Sequence, residues 1–150
     1  MSKLPEFYPN VPITLTLTSD FRFCQTNPLY DYVWDLLIGK GEPAAVSCYS
    51  TFGLRAKEFK MFPRFIEEDV AIINPADFKR PITINTLLPN LIRMNFSPLQ
   101  GINVHMALYV PDSSGLSIHL SFKNNHLEDR RISLDWVTML SAGADGHRMK

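Results

Sequence analysis

Apolar and polar residues alternate with a period of two across residues 102–140. Ile102, Val104, Met106, Leu108 and Val110 are separated by Asn103, His105, Ala107 and Tyr109. After Pro111-Asp112-Ser113-Ser114-Gly115, Leu116, Ile118, Leu120 and Phe122 alternate with Ser117, His119, Ser121 and Lys123. After Asn124-Asn125 and a charged stretch the pattern returns at Ile132, Leu134, Trp136, Thr138 and Leu140. Alternation of this kind lays one face of a sheet on a core and the other toward water. It predicts a three-stranded meander.

Upstream, Val11, Ile13, Leu15 and Leu17 alternate with polar residues and predict a strand over 11–18. The next segment carries the best helix signal. Asn27 suits an N-cap, Pro28 the first helical position and Asp31 the first turn. Leu29, Val33, Leu36 and Leu37 follow a core-facing helical stripe, with Gly39 and Gly41 placed to end it. Strands are predicted over 44–52 and 78–87, with Pro81 marking an edge or a bulge, while 70–73 is short and apolar ahead of a turn at Asn74-Pro75. Residues 54–65 read as irregular, and 89–98 as a connection with one helical turn at 90–94. The expected fold class is α+β: one main helix packed on a mostly antiparallel sheet ending in the meander. A flexible arm at 1–10 and a flexible tail at 141–150 flank a single domain at 11–140.

Composition narrows the classes. A chain of 150 residues that is 45% hydrophobic and 20% charged can bury a core of its own. Fifteen basic and fifteen acidic residues cancel, so any contact with nucleic acid or membrane must come from a local patch. Cys24 and Cys48 do not form a disulfide framework and read as reduced, intracellular thiols. The first ten residues hold no apolar signal run, and no stretch approaches the ~18 apolar residues a spanning helix needs.

No nucleophile elbow, Gly-rich phosphate loop or His-Glu-x-x-His helix is present. Of the four histidines, His105 and His119 fall on the polar face of neighbouring predicted strands, within a diagonal of each other. They permit a small histidine-containing α+β enzyme or ligand-binding domain as the alternative reading. A two-histidine phosphoesterase is disfavoured, because His119-Leu120-Ser121 has the His-x-Ser form and His105-Met106-Ala107 lacks the hydroxyl. No catalytic residue, cofactor or metal is assigned.

The segment from Arg55 to Phe65 stands apart. Arg55, Lys57, Lys60 and Arg64 interleave with Phe59, Met61, Phe62 and Phe65, offset only by Glu58. Either the rings fold onto the core while the cations reach outward, or both meet a partner. Lys79-Arg80 and Arg130-Arg131 would enlarge such a patch.

The run Asp77-Phe78-Lys79-Arg80-Pro81-Ile82-Thr83-Ile84, followed by Ile102 to Asp112, resembles the matrix proteins of rhabdoviruses, and the order of elements is comparable over about residues 13–112. The resemblance implies a non-enzymatic structural protein of the virion. Such a protein self-associates and bridges the viral nucleocapsid, a nucleoprotein–RNA complex, to an anionic membrane surface. It implies contact with a viral glycoprotein and residence in the virion, the host cytoplasm and the host nucleus. It sets residues 57–73 where the family has an exposed loop for self-association and membrane contact. The first ten residues hold only Lys3 as a basic residue and no Pro-Pro-x-Tyr-like motif, so the resemblance does not extend to a budding arm.

Overall fold

The computed structural model describes residues 13–17, 34–38, 46–50, 58–112 and 115–141. These residues form ten strands: β1 (Ile13–Leu17), β2 (Trp34–Ile38), β3 (Val46–Ser50), β4 (Glu58–Glu67), β5 (Val70–Ile72), β6 (Arg80–Leu88), β7 (Leu91–Leu99), β8 (Ile102–Asp112), β9 (Gly115–Asn124) and β10 (Ser133–Ser141). One sheet has the order β1-β2-β3-β4-β10, with β5 also paired to β4; the other has the order β6-β7-β8-β9. Every pairing is antiparallel. The two sheets close on one core that holds Leu17, Leu36, Ile38 and Phe65 from the first sheet and Ile92, Met94, Val104, Met106 and Leu108 from the second. The architecture is a β-sandwich.

The α+β expectation is therefore corrected to all-β, since the described residues contain a single 3-10 turn at Pro75–Asp77 and no α-helix. The predicted main helix fails where it can be examined, at 34–38, which is β2. Trp34, Leu36 and Ile38 alternate with Asp35 and Leu37, so the segment fits a strand period as well as a helical one. Pairing to β1 and β3 on both edges decides the matter, and Leu36 and Ile38 are buried while Leu37 is not. The remainder of that helix, the predicted arm at 1–10 and the predicted tail at 141–150 lie outside the described residues, except Ser141, which ends β10.

Two further expectations are corrected. Residues 91–99, read as a connection with a helical turn, are β7. The turn Pro89-Asn90 joins β6 to β7 as a hairpin, and the Asn90 carbonyl accepts the Val110 N–H at 2.9 Å. The expected three-stranded meander is split: β8 and β9 form a hairpin, but β10 pairs with β4 in the opposite sheet. The eight-residue polar connection 125–132 is too long for a tight hairpin and lets the chain change sheets.

Prolines fall where the ladders already break. Pro81 lies in a register shift of edge strand β6, as expected, and Pro98 in a shift of β7 against β8. Pro63, without an N–H, sits on β4 between the stretch paired to β3 and the stretch paired to β5. The sheet-changing connection is clasped at the end of the sandwich. Arg130 Nε donates to Glu67 Oε1 at 2.7 Å, a second nitrogen donates to Glu67 Oε2, and Nη1 donates to the Gln100 carbonyl.

Candidate functional site

Strand β4 does not bring its rings and cations to one surface. Phe65 is 0% exposed and meets the rings of Phe78, Phe96 and Phe122 edge-on at 6.1, 5.9 and 6.3 Å. Phe62 and Lys60 retain only 8% and 4% of their exposure, with Lys60 Nζ 5.8 Å from the Phe62 ring centroid. Met61 is half-buried and packs against the core. Arg64 is half-exposed and forks onto Asp135 Oδ2 of β10, with Nε at 3.0 Å. Arg55 and Lys57 lie outside the described residues, as does the side chain of Phe59. Lys79 and Arg80 are exposed, but at the entry to β6 in the other sheet. Arg131 is exposed in the sheet-changing connection, and Arg130 is taken up by Glu67.

The chemistry that does gather is on the outer face of the second sheet. Its register lays side chains in four rows across β6, β7, β8 and β9. The first row carries Arg80, Ser97, Asn103 and Lys123; the second carries Thr83, Asn95, His105 and Ser121. The third carries Thr86, Arg93, Ala107 and His119, and the fourth Leu88, Leu91, Tyr109 and Ser117. These are the outward members of the alternation whose inward members build the core. Arg80, Arg93, His105, Tyr109, His119 and Lys123 are exposed.

The electrostatics of this face are one-sided. No aspartate or glutamate occupies any of the four rows. Arg80, Arg93 and Lys123 are not ion-paired to any described carboxylate. The carboxylates of Glu67 and Asp135 are instead taken up by Arg130 and Arg64. A chain that is neutral as a whole thus shows a locally cationic sheet surface.

Hydrogen bonding fixes part of it. Ser97 Oγ donates to Asn103 Oδ1 at 2.7 Å. His105 Nδ1 lies 2.6 Å from Asn95 Oδ1. An amide oxygen only accepts, so Nδ1 is the donor in this bond. His105 and Asn95 line two adjoining clefts, one reaching Arg80 and Asn103 and the other reaching Arg93, His119 and Asn85. Asn85 Oδ1 is buried there with no hydrogen-bond partner. A buried acceptor left unpaired costs about 1–3 kcal/mol.

His105 and His119 are diagonal neighbours, because His105 pairs with Ser121 and His119 with Ala107. The sequence pattern had placed them so. Among the described residues no group of three His, Cys, Asp or Glu stands close enough to hold a metal ion. Arg93, Asn95 and Lys123 were not singled out from the sequence as site residues. The signal was present, since Arg93, Asn95 and Ser97 alternate with Ile92, Met94 and Phe96. Pro89 and Pro98 at either end made the segment read as a connection.

No protein-family model matches the chain, and no curated protein or solved structure does.

Proposed function

We propose that this chain is a non-enzymatic, matrix-like structural protein that engages viral ribonucleoprotein, laying the outer face of β6–β9 along single-stranded RNA. The observation that carries the reading is the row pattern of that face: three cations and two imidazoles among serine, threonine and asparagine, with no carboxylate in the rows. Phosphates are drawn by Arg80, Arg93 and Lys123. The side chains of Asn95, Asn103, Ser117 and Ser121 meet sugar and base edges. Tyr109, 43% exposed in the fourth row, offers a ring on which a base stacks. A shallow sheet surface suits an unpaired strand better than a duplex, whose grooves admit a helix or a two-stranded ribbon.

The stretches that resemble rhabdovirus matrix proteins, residues 77–84 and 102–112, contribute β6 and β8 to this face, which supports reading the anion as nucleoprotein-bound RNA. In that role the protein works in the virion and the host cytoplasm, peripheral to membranes. No helix of the described residues is long and apolar enough to cross one.

Fluorescence anisotropy with a labelled single-stranded RNA across a salt series tests the proposal. Affinity falls as salt rises, with a slope of about −0.7 for each phosphate neutralised. Arg93→Ala and Lys123→Ala each weaken binding and lower that slope by about one contact. The triple variant Arg80→Ala, Arg93→Ala, Lys123→Ala loses binding while its thermal unfolding is unchanged. Equal RNA affinity of the triple variant overturns the proposal, as does co-sedimentation with phosphatidylserine vesicles by a protein that ignores RNA.

A further inference from the structure

Strand β9 runs for ten residues at the edge of its sheet. One side is paired to β8 in unbroken register from Ile102–Asn124 to Tyr109–Ser117. Among the described residues no strand pairs with the other side. Such an edge displays a row of unpaired N–H and C=O groups, a template for another strand. Most devices that blunt an edge are missing here. The strand holds no proline, its register with β8 does not shift between Ser117 and Asn124, and its only charged residue is Lys123.

The geometry points to the outer edge of β9 as a two-fold contact with a second copy of this chain. The strand is self-complementary about His119. An antiparallel copy centred there sets Leu116 against Phe122 and Ile118 against Leu120, all on the core-facing row, and His119 against its own counterpart. Lys123 falls opposite Gly115, so no two lysines are opposed. Phe122 supplies the reason for a second copy rather than another partner. Its ring reaches Phe65 inside yet stays 43% exposed at the open side of the sandwich. The Leu116 of a second copy would cover that ring, and the two-fold repeats the contact. The two sheets would then join into one of eight strands, with the cationic rows continuous across both copies. This inference stands on the edge geometry alone and does not require that the face bind RNA.

Sedimentation velocity over a micromolar concentration series reads the dimer directly, and the wild-type chain is expected to dimerise. His119→Asp opposes two carboxylates at the axis and weakens dimerisation about tenfold or more, with circular dichroism and thermal unfolding reporting an intact fold. A second variant fixes the register. Across an antiparallel pair, opposed Cα atoms lie roughly 4.5–5.5 Å apart, within the span a disulfide bridges. In a Cys24→Ser, Cys48→Ser background, His119→Cys therefore forms a cross-linked dimer under mild oxidation. Ser117→Cys, which faces Ser121 of the second copy, does not. A wild-type chain that stays monomeric, a dimer indifferent to His119→Asp, or equal cross-linking of the two cysteine variants overturns the inference. Indifference to His119→Asp would move the contact to another surface, such as the open edge of β10.

Discussion

Phe65 is the largest fully buried side chain among the described residues. It is fully buried where the two sheets meet, and its ring touches three other phenylalanines, two of which, Phe78 and Phe96, stack at 5.2 Å. Truncation removes the ring and leaves a void that close-packed neighbours cannot fill. Phe65→Ala is expected to cost about 3–5 kcal/mol, a large share of the 5–15 kcal/mol typical of a domain. Urea unfolding measures it, and a loss below about 1 kcal/mol would show that the inter-sheet core does not depend on this ring. Arg64, one residue away on the same strand, belongs to a different class. Its pair with Asp135 is two-fifths exposed on both sides and contributes at most about 1 kcal/mol. The sequence shows both residues as part of one aromatic–basic run. Only their alternation on β4 separates a core ring from a solvated cation.

At the scale of the element, turn chemistry accounts for several joins. Glu68 and Asp69 connect β4 to β5 with φ of 46° and 67°. A two-residue hairpin loop with both φ positive favours Asn-Gly, and L-residues in that region are strained. Replacing the pair with Glu68→Asn and Asp69→Gly is expected to stabilise the protein by about 1 kcal/mol. A thermal midpoint that does not rise argues that the turn is held by contacts beyond its own backbone. Gly101 joins β7 to β8 at φ 70°, and a Cβ there would lie 2.0 Å from the His126 ring nitrogen. The same ring nitrogen contacts the Gln100 carbonyl at 3.1 Å, so glycine lets the connection 125–132 lie directly on the turn.

The whole molecule depends on how that connection crosses from one sheet to the other. Arg130 ties it to Glu67 at the end of β4 and to Gln100 between β7 and β8, while the Asn125 N–H donates to the Gly101 carbonyl at 2.9 Å. The hydrogen bond to Glu67 raises the Arg130 pKa, with desolvation opposing it and the charges of Glu67 and Glu68 adding to it. A cation whose folded-state pKa is raised contributes stability in full below its unfolded value, and that stability is lost only as pH rises through the folded value. The clasp therefore holds throughout the neutral and mildly alkaline range. Arg130→Met is expected to lower the thermal midpoint by the same amount at pH 7 and pH 10. A difference that shrinks on alkalinisation would mean the guanidinium is not what holds the connection.

From the sequence alone came the strands at 13–17, 46–50, 80–88, 102–112 and 115–124, the edge character of Pro81, and the diagonal placement of His105 and His119. Those features are local, because a period of two or a missing N–H is written in neighbouring residues. The tertiary structure decided what local pattern leaves open. It made 34–38 a strand by pairing both its edges, and it sent β10 to the far sheet. It also divided the aromatic–basic run between core and surface, and gathered Arg80, Arg93 and Lys123 from three separate strands onto one face. Partner choice between strands is a long-range competition for edges and buried area. It is settled by the whole packed chain, and no single window of residues encodes it.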